Sequence, residues 1–268
     1  MTHRIDCVFE TARGAGRKVL IPFVTAGDPH PDWTVAVMHA LAGAGADLIE
    51  LGVPFSDPMA DGPVIQAASE RAISQGMDLE RVLDCAEEFR RGNTECPLVL
   101  MGYMNPIERY GFERLATRAA EAGVDGLLLV DCPPEEMPQL QEFMTRKGVY
   151  SIRLVAPTTT EDRLQTIAEA AQGFIYYVSF KGITGAGRLD TDALAAPVQG
   201  IRQQSDLPVA VGFGIKDADS AVGVASVADA VVIGSALVEA LSEAKDADAA
   251  CSTASTFVAS IRQALDNS

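Results

Sequence analysis

Glu50 interrupts an apolar run, Asp47-Leu48-Ile49-Glu50-Leu51-Gly52-Val53. Asp57 and Asp61 follow it in a stretch stiffened by Pro54, Pro58 and Pro63. An acid inside a buried segment loses hydration, which disfavours its charged form and raises its pKa toward the range where a carboxyl both gives and takes protons. Two readings of Glu50 stand side by side: a proton shuttle, or a buried acid held by a neighbouring Arg or Lys. Asp61 precedes Gly62 and Pro63 at the entry to the helical pattern VIQAASERAIS. The prolines fix it where it can accept a hydrogen bond from a substrate N–H; the alternative is that it only shapes the Asp-Gly turn. For Asp57 the alternatives are a role in the loop itself and a role at a partner surface.

A second set of residues is glycine-rich. GITGAG (182–187), VGFGIKD (211–217) and IGSA (233–236) each lie at or after the end of an apolar run. Gly214, Gly234 and Ser235 can present backbone N–H groups, and Ser235 a hydroxyl, to a phosphate at a helix start. The formal net charge of −16 opposes binding to nucleic acid or anionic membranes, and no cluster of Lys and Arg offsets it locally. An anion bound to this chain therefore relies mainly on backbone amides.

These groups need elements to position them. Short apolar runs occur at KVLIPFVTA (18–26), DLIELGV (47–53), CPLVLMGY (96–103) and DGLLLVD (125–131). They continue at VYSIRLVA (149–156), GFIYYVSF (173–180), LPVAVGFG (207–214) and ADAVVIGS (228–235). Each is apolar on both faces, as parallel strands covered by helices are, and helical patterns fill the intervals. The pattern predicts one α/β domain over 1–268, a (β/α)8 TIM barrel with an N-terminal helix and a short extra helix after the eighth strand. A doubly wound sheet is the alternative, which even spacing of the units disfavours. In such a barrel the reactive groups gather at the C-terminal ends of the strands. Strand alternation turns Leu48, Glu50 and Gly52 inward, and Ile49 and Leu51 toward the helices. The other inward positions are predicted to be Phe23, Met101, Leu128, Tyr176, Phe213 and Ile233. Their upper layer borders the substrate, and Phe23, Leu128 and Phe213 suit a flat apolar ligand.

Five cysteines, odd in number and without C-x-x-C spacing, read as reduced thiols. His3, His30 and His39 join no Cys or Asp cluster, so neither a metal site nor His-based nucleophilic catalysis is expected. The start, MTHRIDCVFETARGAG, reads as an amphipathic helix carrying acids, and no apolar run reaches membrane-spanning length. The expectation is a soluble, cytoplasmic chain.

PFVTAGDP (22–29), ELGVPFSDPMADGPVIQ (50–66), GITGAG, GFGI and IGSA resemble, in order and spacing, the α chain of tryptophan synthase. The resemblance implies a lyase of L-tryptophan biosynthesis that cleaves indole-3-glycerol phosphate to indole and glyceraldehyde 3-phosphate by a retro-aldol step. It implies that Glu50 protonates ring C3 and takes the glycerol hydroxyl proton, while Asp61 stabilises the ring N–H. It places Thr184 and Gly185 in a lid over the mouth, with Thr184 bonded to Asp61. Indole is then held by the apolar mouth and phosphate by Gly214, Gly234 and Ser235. It implies no cofactor in this chain: pyridoxal phosphate belongs to a β chain, which receives indole through a tunnel within an α2β2 complex. The loop from Pro54 to Ala60 and MNPI (104–107) match segments that face that partner. Phe180, Lys181 and the tail SEAKDADAACSTAS depart from the family's usual pattern. Two rivals stand beside this reading. One is a barrel that mainly activates the β chain; the other is a different phosphate-handling barrel, such as a sugar-phosphate isomerase, which leaves the Glu50–Asp61 pair unexplained.

Overall fold

The structure, a computed structural model, describes residues 2–178, 183–184, 188–189, 191–212 and 214–268. The chain starts with α1 (Arg4–Gly14), β1 (Val19–Thr25), α2 (Thr34–Gly43) and β2 (Ile49–Gly52). Two helices, α3 (Pro63–Ser74) and α4 (Leu79–Gly92), lead to β3 (Leu98–Gly102). Next come α5 (Met104–Tyr110), α6 (Phe112–Glu121), β4 (Gly126–Leu129), α7 (Pro138–Lys147) and β5 (Tyr150–Val155). Then follow α8 (Glu161–Ala170), β6 (Ile175–Val178) and the short antiparallel pair β7 (Ile183–Thr184) and β8 (Arg188–Leu189). The chain closes with α9 (Thr191–Gln204), β9 (Val209–Gly212), α10 (Ala218–Ala225), β10 (Ala230–Ile233), α11 (Ser235–Ser242) and α12 (Ala247–Asp266).

The long strands close a barrel in the order β1-β10-β9-β6-β5-β4-β3-β2, with parallel pairing between neighbours. This is the predicted TIM barrel, with the N-terminal helix as α1 and the extra helix as α11. Strand alternation divides the core in two. Leu20, Val24, Ile49, Leu51, Leu98 and Leu100 face the helical shell, while Val19, Ile21, Leu48, Val99, Leu128 and Tyr176 fill the barrel interior. Burial of each such Val, Leu or Ile contributes about 1.5–3 kcal/mol.

Helix α1 plugs one end of that interior. Ile5, Phe9 and Ala12 join the inner cluster, and the Phe9 and Phe174 ring centroids are 5.6 Å apart. Asp125, buried just before β4, locks the plug: it accepts from Arg4 Nη1 at 2.7 Å, Arg90 Nη2 at 3.0 Å and Leu98 N at 2.8 Å. The plug lies where the strands begin, which leaves their C-terminal ends open for chemistry. The Ala-rich tail has a packing role. Ser242 ends α11, Asp246 caps α12 by accepting from Ala249 N at 2.8 Å, and small Ala250 and Ala254 are buried in the shell where α12 meets α2. No helix of the described residues is long and apolar enough to cross a membrane.

Candidate active site

Strand β2 carries Glu50 between Phe23 of β1 and Val99 of β3. The Glu50 side chain has no accessible surface, and among the described residues neither carboxyl oxygen has a hydrogen-bond partner. No Arg or Lys among the described residues holds it, which disfavours the reading of Glu50 as half of a buried ion pair. Burial alone pushes its pKa from 4.5 up to about 8.

Asp61 is half-buried in the loop between β2 and α3. Its backbone N–H donates to Pro58 O at 3.0 Å, and its own carbonyl accepts from Gln66 Nε2 at 2.8 Å. Gly62 then takes an extended conformation and Pro63 opens α3, a position where its missing N–H costs nothing. The loop is therefore a built platform for Asp61. Tyr103, immediately after β3, donates its hydroxyl proton to Asp61 Oδ2 at 3.0 Å and accepts from Ala60 N at 3.1 Å. Burial raises the pKa of Asp61 and the Tyr103 hydrogen bond opposes that rise. Sequence reasoning missed Tyr103; the signal available was an aromatic hydroxyl at the C-terminal end of a barrel strand, in MGYMNP.

A cavity opens at this end of the barrel, bordered by Phe23, Thr25, Asp61, Ile65, Met101 and Tyr103, with Ser69 and Val130 among its other walls. Phe23 and Met101 are where the sequence placed them. Glu50 lies one layer beneath, next to Phe23 in the register, and Gly52 above it on the same strand borders the cavity. Leu128 and Tyr176 point into the barrel interior, as predicted, and both are buried below the cavity lining. Burial raises the Tyr176 pKa well above the phenol range, and the nearby Glu50 and Asp61 carboxyls add to the rise wherever they are ionised. The three groups therefore share one site.

Two glycines make room for this layer. A Cβ on Gly212 would lie 2.1 Å from Tyr176 Oη, and one on Gly52 would lie 2.6 Å from Phe23 Cζ. The sequence turned Gly52 inward and placed Gly212 in the glycine-rich segment 211–217, but did not show the side chain that each makes room for. Among the residues expected to bind phosphate, Gly214 has φ +76°, a conformation that favours glycine, Gly234 is the N-cap of α11, and Ser235 is its first residue. First-turn amides of a helix lack intrahelical acceptors and face an anion favourably. Thr25 and Ser69, both buried, were also missed; Thr25 Oγ1 has no partner among the described residues.

One side chain is misplaced by the sequence reading. Ile233 lies with Val231 in the shell facing the helices, because Ala230 and Val232 take the inward positions of β10. The parity of that strand follows its register with β1, where Pro22 pairs Ile233. Phe213, Gly185, Phe180 and Lys181 lie outside the described residues, and of Thr184 only the backbone is described, paired with Arg188. Asp57 is exposed, its carboxylate accepts from Ser56 Oγ at 2.5 Å, and its carbonyl accepts from Met59 N at 2.8 Å. Among the described residues no group of three or more His, Cys, Asp or Glu is placed to hold a metal ion.

A family model described as tryptophan synthase alpha chain matches residues 9–266. The tryptophan synthase alpha chain of Xylella fastidiosa (strain M12) is 55% identical over 264 residues, 98% of both chains. That of Thioalkalivibrio sulfidiphilus is 56% identical over 98% of this chain and 99% of its own. Among solved structures, tryptophan synthase subunit alpha from Legionella pneumophila str. Paris matches at TM-score 0.93 and 44% identity over 100% of both chains. An aminoacrylate-bound tryptophan synthase from M. tuberculosis matches at TM-score 0.88 and 33% identity over 98% of this chain and 100% of that one. With the barrel, the buried Glu50 and the Asp61 platform in place, these matches show that the chain belongs to the tryptophan synthase alpha chain family.

Proposed function

We propose that Glu50 and Asp61 carry out the family's lyase reaction, cleavage of indole-3-glycerol phosphate to indole and glyceraldehyde 3-phosphate. The observation that carries this reading is Glu50: fully buried, without a counter-ion among the described residues, its pKa pushed up to about 8. Such a carboxyl rests protonated at neutral pH, the form the first step needs. It donates its proton to ring C3, which breaks ring conjugation and leaves a positive charge on the ring nitrogen, stabilised by the Asp61 carboxylate. Glu50, now ionised, takes the proton of the glycerol hydroxyl attached to the carbon that joins the ring. The bond between that carbon and C3 breaks, its electron pair returns to the ring, and indole and the aldehyde are released. Glu50 ends protonated as it began. The protonated ring is itself the electron sink, so the step calls for no cofactor from this chain.

The apolar rim of Phe23, Ile65 and Met101 suits an indole ring, and Tyr103 orients Asp61. Gly214, Gly234 and Ser235 hold the phosphate by backbone N–H groups, and Thr184 closes over the mouth. Because Glu50 has no accessible surface, substrate meets it only when neighbouring side chains shift. The partner is a β chain holding pyridoxal phosphate in an α2β2 complex. The loop from Pro54 to Ala60 faces it, which accounts for Met59 standing 81% exposed there. The test is indole release from indole-3-glycerol phosphate, alone and with a β chain. Release in either setting supports the lyase; none in both, with stimulation of the β chain intact, supports a purely activating subunit.

A further inference from the structure

Arg153, on the outward face of β5, is 3% exposed, and among the described residues no carboxylate pairs with it. Its Nη2 donates to the neutral Gln141 Oε1 at 2.6 Å, Nη1 contacts Met137 Sδ, and Nε has no partner. Gln141 in turn donates its amide to Ala170 O at 3.1 Å. Arg262, the other buried arginine, is neutralised by Asp47 at 3.1 Å and Asp266 at 2.6 Å. A guanidinium removed from water without an anion has lost hydration with no Coulombic return, so its position calls for a ligand.

Arg153 borders a cavity of about 310 Å³, partly open to solvent, between the loop after β4 and the start of α8. Across it stand Arg163, ion-paired with Glu135, and Thr159, whose oxygen accepts from Ala156 N at 3.1 Å and leaves its O–H to donate. Leu129, Leu154 and Ile167 supply apolar walls. Asp131 also borders the cavity, its carboxylate accepting from Met104 N at 2.8 Å, so the cavity combines the buried Arg153 cation and apolar walls with one carboxylate already engaged by the backbone.

We propose that this cavity binds a small amphiphilic anion, an oxyanion on an apolar body, with Arg153 as its buried counter-charge. Guanidinium geometry accepts carboxylate and phosphate alike by paired N–H donation, and the apolar walls select an anion with a hydrophobic body over a bare one. The cavity is separate from the catalytic one, although Val130 borders both.

The test follows the Nε–H resonance of Arg153 in the 15N-labelled full chain, assigned by its loss in Arg153→Met. Benzoate, phenyl phosphate and inorganic phosphate are the probes. Saturable shifts with benzoate or phenyl phosphate are expected, and whichever binds tighter identifies the head group. Saturating indole with glyceraldehyde 3-phosphate is expected to leave these shifts in place. Affinity, measured by calorimetry, is expected to fall roughly tenfold to hundredfold in Arg153→Met, the span of a hydrogen bond to a charged group. If Arg153→Met does not fold, Arg153→Lys replaces it: loss of the planar fork lowers affinity while the charge remains. The proposal is overturned by any of four results: no saturable shift up to roughly 10 mM, displacement by the catalytic-site ligands, unchanged affinity in both variants, or inorganic phosphate binding as tightly as phenyl phosphate.

Discussion

Replacing Glu50 by Gln is expected to stabilise the protein at alkaline pH. In the folded chain burial holds the Glu50 pKa at about 8, against 4.5 for the exposed group. The folded state therefore keeps a proton that the unfolded state gives up between those values. Stability from that proton is fully present below pH 4.5, falls as pH rises, and is gone above pH 8. At 1.36 kcal/mol per pH unit, the interval from 4.5 to about 8 corresponds to roughly 5 kcal/mol. The glutamine side chain cannot ionise, so the Glu50→Gln variant escapes this loss. The buried amide costs the same at every pH, because it too lacks partners in the site. Every other titrating group is common to both proteins and cancels in the difference. Urea unfolding followed by circular dichroism at several values from pH 5 to 9 measures that difference directly. The variant's stability relative to wild type should climb by several kcal/mol across the series. Parallel pH profiles would refute the reasoning: they would mean that Glu50 titrates normally and is not held in its neutral form by burial.

Three further outcomes are expected. Gly212→Ala places a Cβ 2.1 Å from Tyr176 Oη, so the ring must shift; overpacking of this kind costs about 1–3 kcal/mol, turnover falls, and adding Tyr176→Phe restores part of the stability in thermal melts. Tyr103→Phe removes the hydroxyl that bonds both Asp61 Oδ2 and Ala60 N; kcat/KM is expected to fall roughly tenfold, and the acid limb of its pH profile to move up, because the bond that opposes Asp61's raised pKa is gone. At Gly234 a Cβ meets Phe23 at an ordinary 3.6 Å, so Gly234→Ala should keep near-normal kinetics, whereas Gly234→Leu should raise KM for the phosphorylated substrate and spare binding of plain indole.

The barrel was legible because its strands are apolar on both faces and its helices are not, a difference in period that survives in the bare sequence. Glu50 was legible for the same reason, as a charge where none is expected. The residues that escaped were those whose meaning depends on a neighbour from another strand. Tyr103 acquires its role only when the end of β3 lies beside the loop after β2. Gly212 matters only because Tyr176 of β6 leans over it. Ile233 was misread because the sequence alone does not show the register of β10 on β1, and a slip of one residue exchanges core for shell. Arg153 looks like an ordinary strand residue in the sequence; only the fold shows it buried with no carboxylate partner among the described residues.

The most direct test of the lyase assignment is a single-turnover measurement of indole release from indole-3-glycerol phosphate, comparing wild type with Glu50→Gln. Wild type is expected to release indole. Glu50→Gln is expected to bind the substrate nearly as well and to release indole at least ~10²–10⁴ more slowly, the usual contribution of a general acid–base. Indole release at the wild-type rate by Glu50→Gln would contradict the mechanism and leave Glu50 a structural acid.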